Sequence, residues 1–182
     1  MSEQSDAILS TTSAGLRPPA LLVLEDGTVF SGRACAASGE AFGQIGFNTS
    51  MIGYEEVICD PANAGKILAM TYPQIGNYGI NLAELEGKPI TPAGLVVRAM
   101  CYTPSSWRAE IGLAQALARE GVVAIEALDT RSLTRHIRDH GALFAAISTY
   151  DLDPASLLGK LEAFKGAALA RAAAAGEGGQ DA

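Results

Sequence analysis

The dipeptide Asp26-Gly27 stands between the apolar runs 20–24 and 28–30. An Asp-Gly turn has the backbone twist that joins two neighbouring antiparallel strands, so the chain is expected to open with a β-hairpin. Between residues 39 and 53 glycines recur with Phe42, Ile45 and Phe47 among them, which reads as a strand running into the polar turn Asn48-Thr49-Ser50. Residues 55–58 add a helical turn before Asp60-Pro61. Residues 67–72 read as a buried strand, which Pro73, Gly76, Asn77 and Gly79 end in irregular backbone.

The second half changes period. Residues 95–98 form a strand, and 108–120 a helix whose apolar stripe is Ile111, Leu113, Ala114 and Leu117, with Gly121 at its C-terminal cap. A strand at 122–125 leads to a second helix with Asp129 or Thr130 as N-cap, Leu133 and Ile137 one turn apart, and Gly141 as stop. A strand at 143–148 follows, and Asp153-Pro154 opens a third helix to about Phe164. An early antiparallel hairpin followed by strand and helix in alternation gives an α/β fold in which helices cover one sheet face. Residues 1–19 read as a disordered arm and 20–165 as one domain. Residues 166–182, where composition falls to Ala and Gly, read as a tail or linker.

A chain of 182 residues is long enough to bury a core without disulfides or metal. Its net charge of -7 argues against a nucleic-acid or anionic-membrane surface, both of which need clustered Lys and Arg. The first 19 residues lack the basic start and apolar run of a signal peptide, and no stretch approaches the ~18 to 20 apolar residues that span a bilayer. Cys35, Cys59 and Cys101 form no CxxC pair and suggest no disulfide framework, which fits a soluble protein of a reducing cytoplasm.

A cysteine nucleophile needs a tight turn, a histidine base and an orienting carboxylate. None of the three cysteines is placed so, and each reads as a small apolar side chain. His136 and His140 have the one-turn spacing that can hold a metal on a helix face. No third ligand is evident, and Arg135 and Arg138 on the same helix would repel a cation, so no metal site is expected. Arg131, Arg135 and Arg138 share a helix face and make a positive patch that can dock an acidic partner or a phosphate. The glycine-rich pieces 39–46 and 76–79 match no nucleotide-binding pattern. The turns 48–53 and 72–79 combine polar side chains with glycines and can form either a pocket rim or two internally bonded loops.

Several long motifs occur in one order: Leu22-Val23-Leu24-Glu25-Asp26-Gly27, Phe47-Asn48-Thr49-Ser50-Met51 with Gly53-Tyr54, Asp60-Pro61, and Thr71-Tyr72-Pro73 with Ile75-Gly76-Asn77-Tyr78-Gly79. Gly94-Leu95-Val96-Val97-Arg98 follows, then Asp129-Thr130-Arg131 with Leu133-Thr134-Arg135. Through them the chain, from about Leu21 to Thr149, resembles the amino-terminal domain of the small, glutamine-hydrolysing subunit of carbamoyl-phosphate synthetase. The resemblance implies a layered β/β/α domain of the swivelling type, joined to an amidotransferase domain whose Cys, His and Glu triad hydrolyses glutamine. It implies that ammonia passes to a large subunit, which uses ATP and Mg to make carbamoyl phosphate for pyrimidine and arginine synthesis. The expected partners are that large subunit and an amidotransferase domain, and no cofactor is expected on this chain.

Two departures bear on function. No nucleophile turn of the Gly-x-Cys-x-Gly type occurs before Ala182, so no catalytic residue is expected in this chain. After Asp60-Pro61 the family has a serine that contacts glutamine, and Ala62 stands there instead. Alanine offers no hydrogen bond, and losing one such contact costs about 1 kcal/mol. Support of a glutamine-dependent synthetase is therefore set beside two alternatives: a stand-alone docking module using the Arg131, Arg135 and Arg138 helix, and a phosphohistidine carrier using His136 or His140.

Overall fold

The computed structural model describes residues 17–50, 53–81, 88–107 and 109–177, with residues 172–177 described by their backbone alone. The Asp26-Gly27 turn joins β1 (Pro19–Leu24) to β2 (Val29–Ala34) in antiparallel register, with Val23 opposite Val29. Leu24 N donates to Thr28 O and Gly27 N to Leu24 O, each at 2.9 Å, and Gly27 supplies the positive φ of 84° that the turn requires. The chain continues through β3 (Glu40–Asn48), α1 (Tyr54–Cys59), a 3₁₀ turn (Pro61–Asn63), β4 (Ile67–Met70), β5 (Gly94–Val96), α2 (Leu113–Arg119) and β6 (Val123–Glu126). It ends in α3 (Thr130–His140), β7 (Leu143–Ser148) and α4 (Pro154–Glu177).

The strands close into a barrel in the order β1, β2, β6, β5, β4, β3, β7. Strands β3, β4, β5 and β6 run parallel, and β1, β2 and β7 close the ring by antiparallel pairing. Alternation along each strand sorts the core. Leu22, Leu24, Ile67, Ala69, Val96, Ile125, Ala145 and Ile147 fill one inner cluster, to which α3 adds Leu133 and Ile137. The intervening residues face outward. Leu68, Leu95, Val97 and Ala124 pack under α1 and α2, while Leu21, Val23 and Ala146 pack under Leu157 and Leu161 of α4. The expected α/β class is thus present, with the sheet closed on itself rather than open.

Several boundaries differ from expectation, the strands expected at 28–30, 67–72 and 95–98 lying at Val29–Ala34, Ile67–Met70 and Gly94–Val96, and three further differences are informative. The second-half helix begins at Leu113 rather than 108, because Ile111 is paired with Ile80: Ile80 N donates to Ile111 O at 2.8 Å, and extended Gly112 follows. Arg108 lies outside the described residues, as do 1–16, Met51, Ile52 and 178–182. The third helix passes Phe164 and continues to Glu177, since an Ala-rich run has high helix propensity even without burial. Burial itself stops near Lys165, and Leu169 is 55% exposed. The end of the expected arm is ordered. Pro19 is in β1, and the Arg17 guanidinium lies 3.2 Å from the Tyr102 ring centre and 3.3 Å from Glu126 Oε1.

Candidate functional site

The C-terminal ends of all four parallel strands deliver residues to one cleft: Thr49 after β3, Thr71 after β4, Arg98 after β5, and Asp129 with the start of α3 after β6. This is the end of a parallel sheet at which α/β proteins commonly place ligands. The cleft encloses about 670 Å³.

Helix α3 is set at the cleft by its cap and by the turn before it. Asp129 Oδ1 accepts from Arg131 N at 3.1 Å and Ser132 N at 3.0 Å, satisfying two of the free N–H groups of the first turn. Ala127 adopts φ 66°, and its N–H donates to Arg98 O at 3.0 Å, so the turn is tied to the chain beyond β5. Leu133 and Ile137 hold the helix to the inner core, and Thr134 Oγ1 donates to Thr130 O at 2.7 Å. The three- and four-residue spacing then puts Arg131, Arg135 and Arg138 on the opposite, exposed stripe.

All three line the cleft, and Arg98 joins them from the far wall. Among the described residues none of these four guanidiniums has a carboxylate partner. Arg138 lies 5.1 Å from the Phe47 ring centre, a cation–π contact that leaves its donors free. Asp129 is the one acid of the lining, and Oδ1 is engaged by the helix cap. The result is a concave, cationic surface with Thr49, Thr71 and Ser132 hydroxyls along it, suited chemically to carboxylates or phosphates.

The two polar turns meet here, and both readings of them hold. They are bonded internally: Asn48 Oδ1 accepts from Ser50 N at 2.7 Å, and Thr71 N donates to Asn48 O at 3.0 Å. Buried Tyr54 donates its hydroxyl to Gly79 O at 2.6 Å and stacks on Tyr78, and burial raises its phenol above the ordinary value. They also form the rim, through Thr49, Thr71 and Pro73.

Other singled-out residues lie elsewhere. Ala62 is exposed in the 3₁₀ turn, where its N–H donates to Asp60 Oδ1 at 2.8 Å, and it does not line the cleft. Its neighbour Asn63 donates its side-chain amide to Val57 O at 2.9 Å. Cys35 is buried just past β2, and burial followed by the nearby Glu126 charge pushes its thiol up; Cys59 and Cys101 direct their thiols at the carbonyls of Lys88 and Thr103. His136 and His140 occupy the flank of α3 away from the arginines, beside Asp26. Arg98 was not legible as a site residue. Its signal was a cation directly after a buried strand, meaningful only once the strand order was known.

Comparison with known proteins bears on all these residues together. Residues 22–147 match the family model described as carbamoyl-phosphate synthase small chain, CPSase domain. The chain is 50% identical over 143 residues to the carbamoyl phosphate synthase small chain of Thermotoga maritima, covering 79% of this chain and 36% of that one. It is 47% identical over 144 residues to the small chain of Nitratidesulfovibrio vulgaris, covering 79% and 38%, and 45% identical over 148 residues to that of Xanthomonas campestris, covering 81% and 40%. The chain thus spans about two fifths of the length of these curated relatives or less.

Proposed function

Because the chain belongs to the carbamoyl-phosphate synthase small-chain family, we propose that it serves as the amino-terminal docking domain of such a small chain. The domain supports glutamine hydrolysis by an amidotransferase partner and delivery of ammonia to a large chain. The large chain, with ATP and Mg, completes carbamoyl phosphate for pyrimidine and arginine synthesis in the cytoplasm. On this reading the closed sheet with its flanking helices is a version of the layered swivelling β/β/α domain. Among the described residues no helix is long and apolar enough to cross a membrane.

The observation that supports the docking role is the set of four guanidiniums at the ends of the parallel strands, none with a carboxylate partner among the described residues. An acidic segment of the large chain entering this cleft replaces water around Arg98, Arg131, Arg135 and Arg138 with bidentate carboxylate contacts. Such contacts give orientation as well as attraction. The chain's own part is positional: α3 and the two polar turns hold the receiving surface rigid. Ala62, lacking a hydroxyl, contributes no side-chain hydrogen bond to glutamine in the assembled enzyme.

The test is titration of this chain against a purified carbamoyl phosphate synthase large chain, with Arg131→Glu/Arg135→Glu beside it. Binding that weakens tenfold or more on charge reversal, and weakens with added salt, supports the cleft as the contact. Equal binding by both proteins removes the cleft from the interface, and no binding by either removes the docking role.

A further inference from the structure

Helix α3 carries a second cluster on the flank away from the arginines. His136 and His140 stand one turn apart, and Asp26 approaches them from the β1–β2 turn, 110 residues earlier than His136. One ligand atom from each lies within 4.8 Å of the other two. This supplies the third group for which the helix alone offers no candidate. The arginines that would oppose a cation, Arg135 and Arg138, face the cleft, which neither histidine lines.

We propose that Asp26, His136 and His140 bind one divalent transition-metal ion of the zinc class, linking the hairpin turn to α3. Two imidazoles and one carboxylate with remaining positions for water are a donor set that suits zinc. The groups are already partly oriented. Asp26 Oδ1 accepts from Thr28 N at 2.9 Å, which leaves Oδ2 directed at His136 Nε2, 2.5 Å away. Against burial, which pushes it up, the Thr28 and His136 contacts hold the Asp26 carboxyl below its ordinary value.

His140 Nδ1 lies 2.9 Å from His136 O. A carbonyl can only accept, so Nδ1 carries the hydrogen and, in the neutral ring, Nε2 presents its lone pair. A metal-bound histidine is commonly fixed this way, by a hydrogen bond from its other nitrogen. The two rings are stacked with centres 4.1 Å apart and 22° between planes. Binding requires the half-exposed His136 and exposed His140 to swing so that each nitrogen comes to about 2.0–2.1 Å from the ion. The ion takes the place of the proton between His136 Nε2 and Asp26 Oδ2; from an imidazolium that proton leaves to solvent, and from the neutral ring its loss is matched by uptake of one at Nδ1, so that the ligand is a neutral imidazole. No electron is transferred.

The test is calorimetric titration of the whole chain, stripped with chelator, with zinc chloride alone, alongside Asp26→Asn, His136→Gln and His140→Ala. One ion per chain is expected, with affinity falling at least tenfold in each variant. Zinc should raise the melting temperature of the parent protein and not that of the variants. Cobalt(II) separates this site from the cysteines, since the proposed donor set gives visible bands without the near-ultraviolet absorption of a thiolate ligand. His140→Ala changes an exposed side chain and keeps the test decisive should Asp26→Asn fail to fold. No zinc binding by the parent protein, unchanged affinity in the His140 variant, or a thiolate band would overturn the proposal. In those cases the Asp26–His136 pair is a structural clasp alone.

Discussion

Helices α3 and α4 both carry cations over the barrel, and they use them differently. On α4, Lys160 Nζ donates to Glu40 Oε1 at 2.6 Å and to Asp151 Oδ2 at 2.7 Å, and Lys165 Nζ donates to Glu25 Oε2. Beneath them Phe164 stacks on Phe42 and meets Phe144 edge-on. On α3, Arg131, Arg135 and Arg138 face a cleft and, like Arg98 beside them, have no carboxylate partner among the described residues. The chain has 20 acidic residues against 13 Lys and Arg, so acids to neutralise these arginines are not scarce. The lysines fasten a helix to its own barrel, whereas the arginines face outward, with no carboxylate partner among the described residues.

The largest expected effect comes from removing what the arginines stand on. Leu133 is fully buried between α3 and the inner core, so Leu133→Ala should cost about 2–5 kcal/mol in urea unfolding and weaken the proposed large-chain binding as well. Next is the second polar turn, behind the rim. Gly79 has φ +69°, and a Cβ there would stand 2.5 Å from Ala109 Cβ and 2.8 Å from Ile111 O. Gly79→Ala should therefore cost about 1–3 kcal/mol, from left-handed strain and overpacking together. A Gly79→Ala protein as stable as the parent would mean that the turn at Gly79 is not rigid.

The contrast between the helices is sharpened by exchanging charges on each. Arg131→Glu/Arg135→Glu should leave unfolding within about 0.5 kcal/mol of the parent while weakening partner binding. Lys160→Met should leave partner binding alone and speed amide exchange in the first turns of α4. The opposite pattern would reverse the assignment of roles. Acid gives the same contrast in one protein. The hydrogen bond from Lys160, with those from Ser156 and Asp153 N, lowers the Asp151 carboxyl from 3.8 to about 2. Because the folded value lies below the unfolded one, this contribution is complete above about pH 4 and is lost as pH falls toward 2. Exchange protection of α4 should decline across that window in the parent, and the acid-dependent step should be smaller in Lys160→Met, where only Ser156 and Asp153 N still hold the Asp151 carboxylate.

Legibility in the sequence followed the range of the interactions concerned. The Asp26-Gly27 hairpin and the Gly141 stop are local, so their residues alone place them, and the cap was narrowed to Asp129 or Thr130, of which the structure uses Asp129. The start of α2 was misplaced because Ile111, which fits a helical stripe, instead pairs with Ile80 across a long loop. Closure of the barrel rests on pairings such as β1 with β7, which no local pattern encodes. The helical spacing sufficed to put Arg131, Arg135 and Arg138 on one face of α3. Arg98 and Asp26 become neighbours of α3 only through the strand order, so the fourth wall of the cleft and the third group beside the histidines were out of reach.

The smallest expected effect concerns the turn that creates the arginine side of the contrast. Ala127 is the one non-glycine residue with positive φ among the described residues, at 66°. Its N–H donates to Arg98 O at 3.0 Å, and two residues later Asp129 caps α3, so this single conformation brings Arg98 and Arg131 to one cleft. An alanine held there costs roughly 1–2 kcal/mol of left-handed strain. Glycine removes the strain but gives the unfolded chain about 0.4–1 kcal/mol more entropy. Ala127→Gly should therefore stabilise the protein by roughly 0–1.6 kcal/mol, with partner affinity unchanged because the turn keeps its shape. A fall in melting temperature would show that the surroundings of Ala127 favour its side chain more than its backbone conformation costs. A fall in affinity without a fall in stability would show that the alanine, by stiffening the turn, is what holds the two walls of the cleft at the spacing an anion needs.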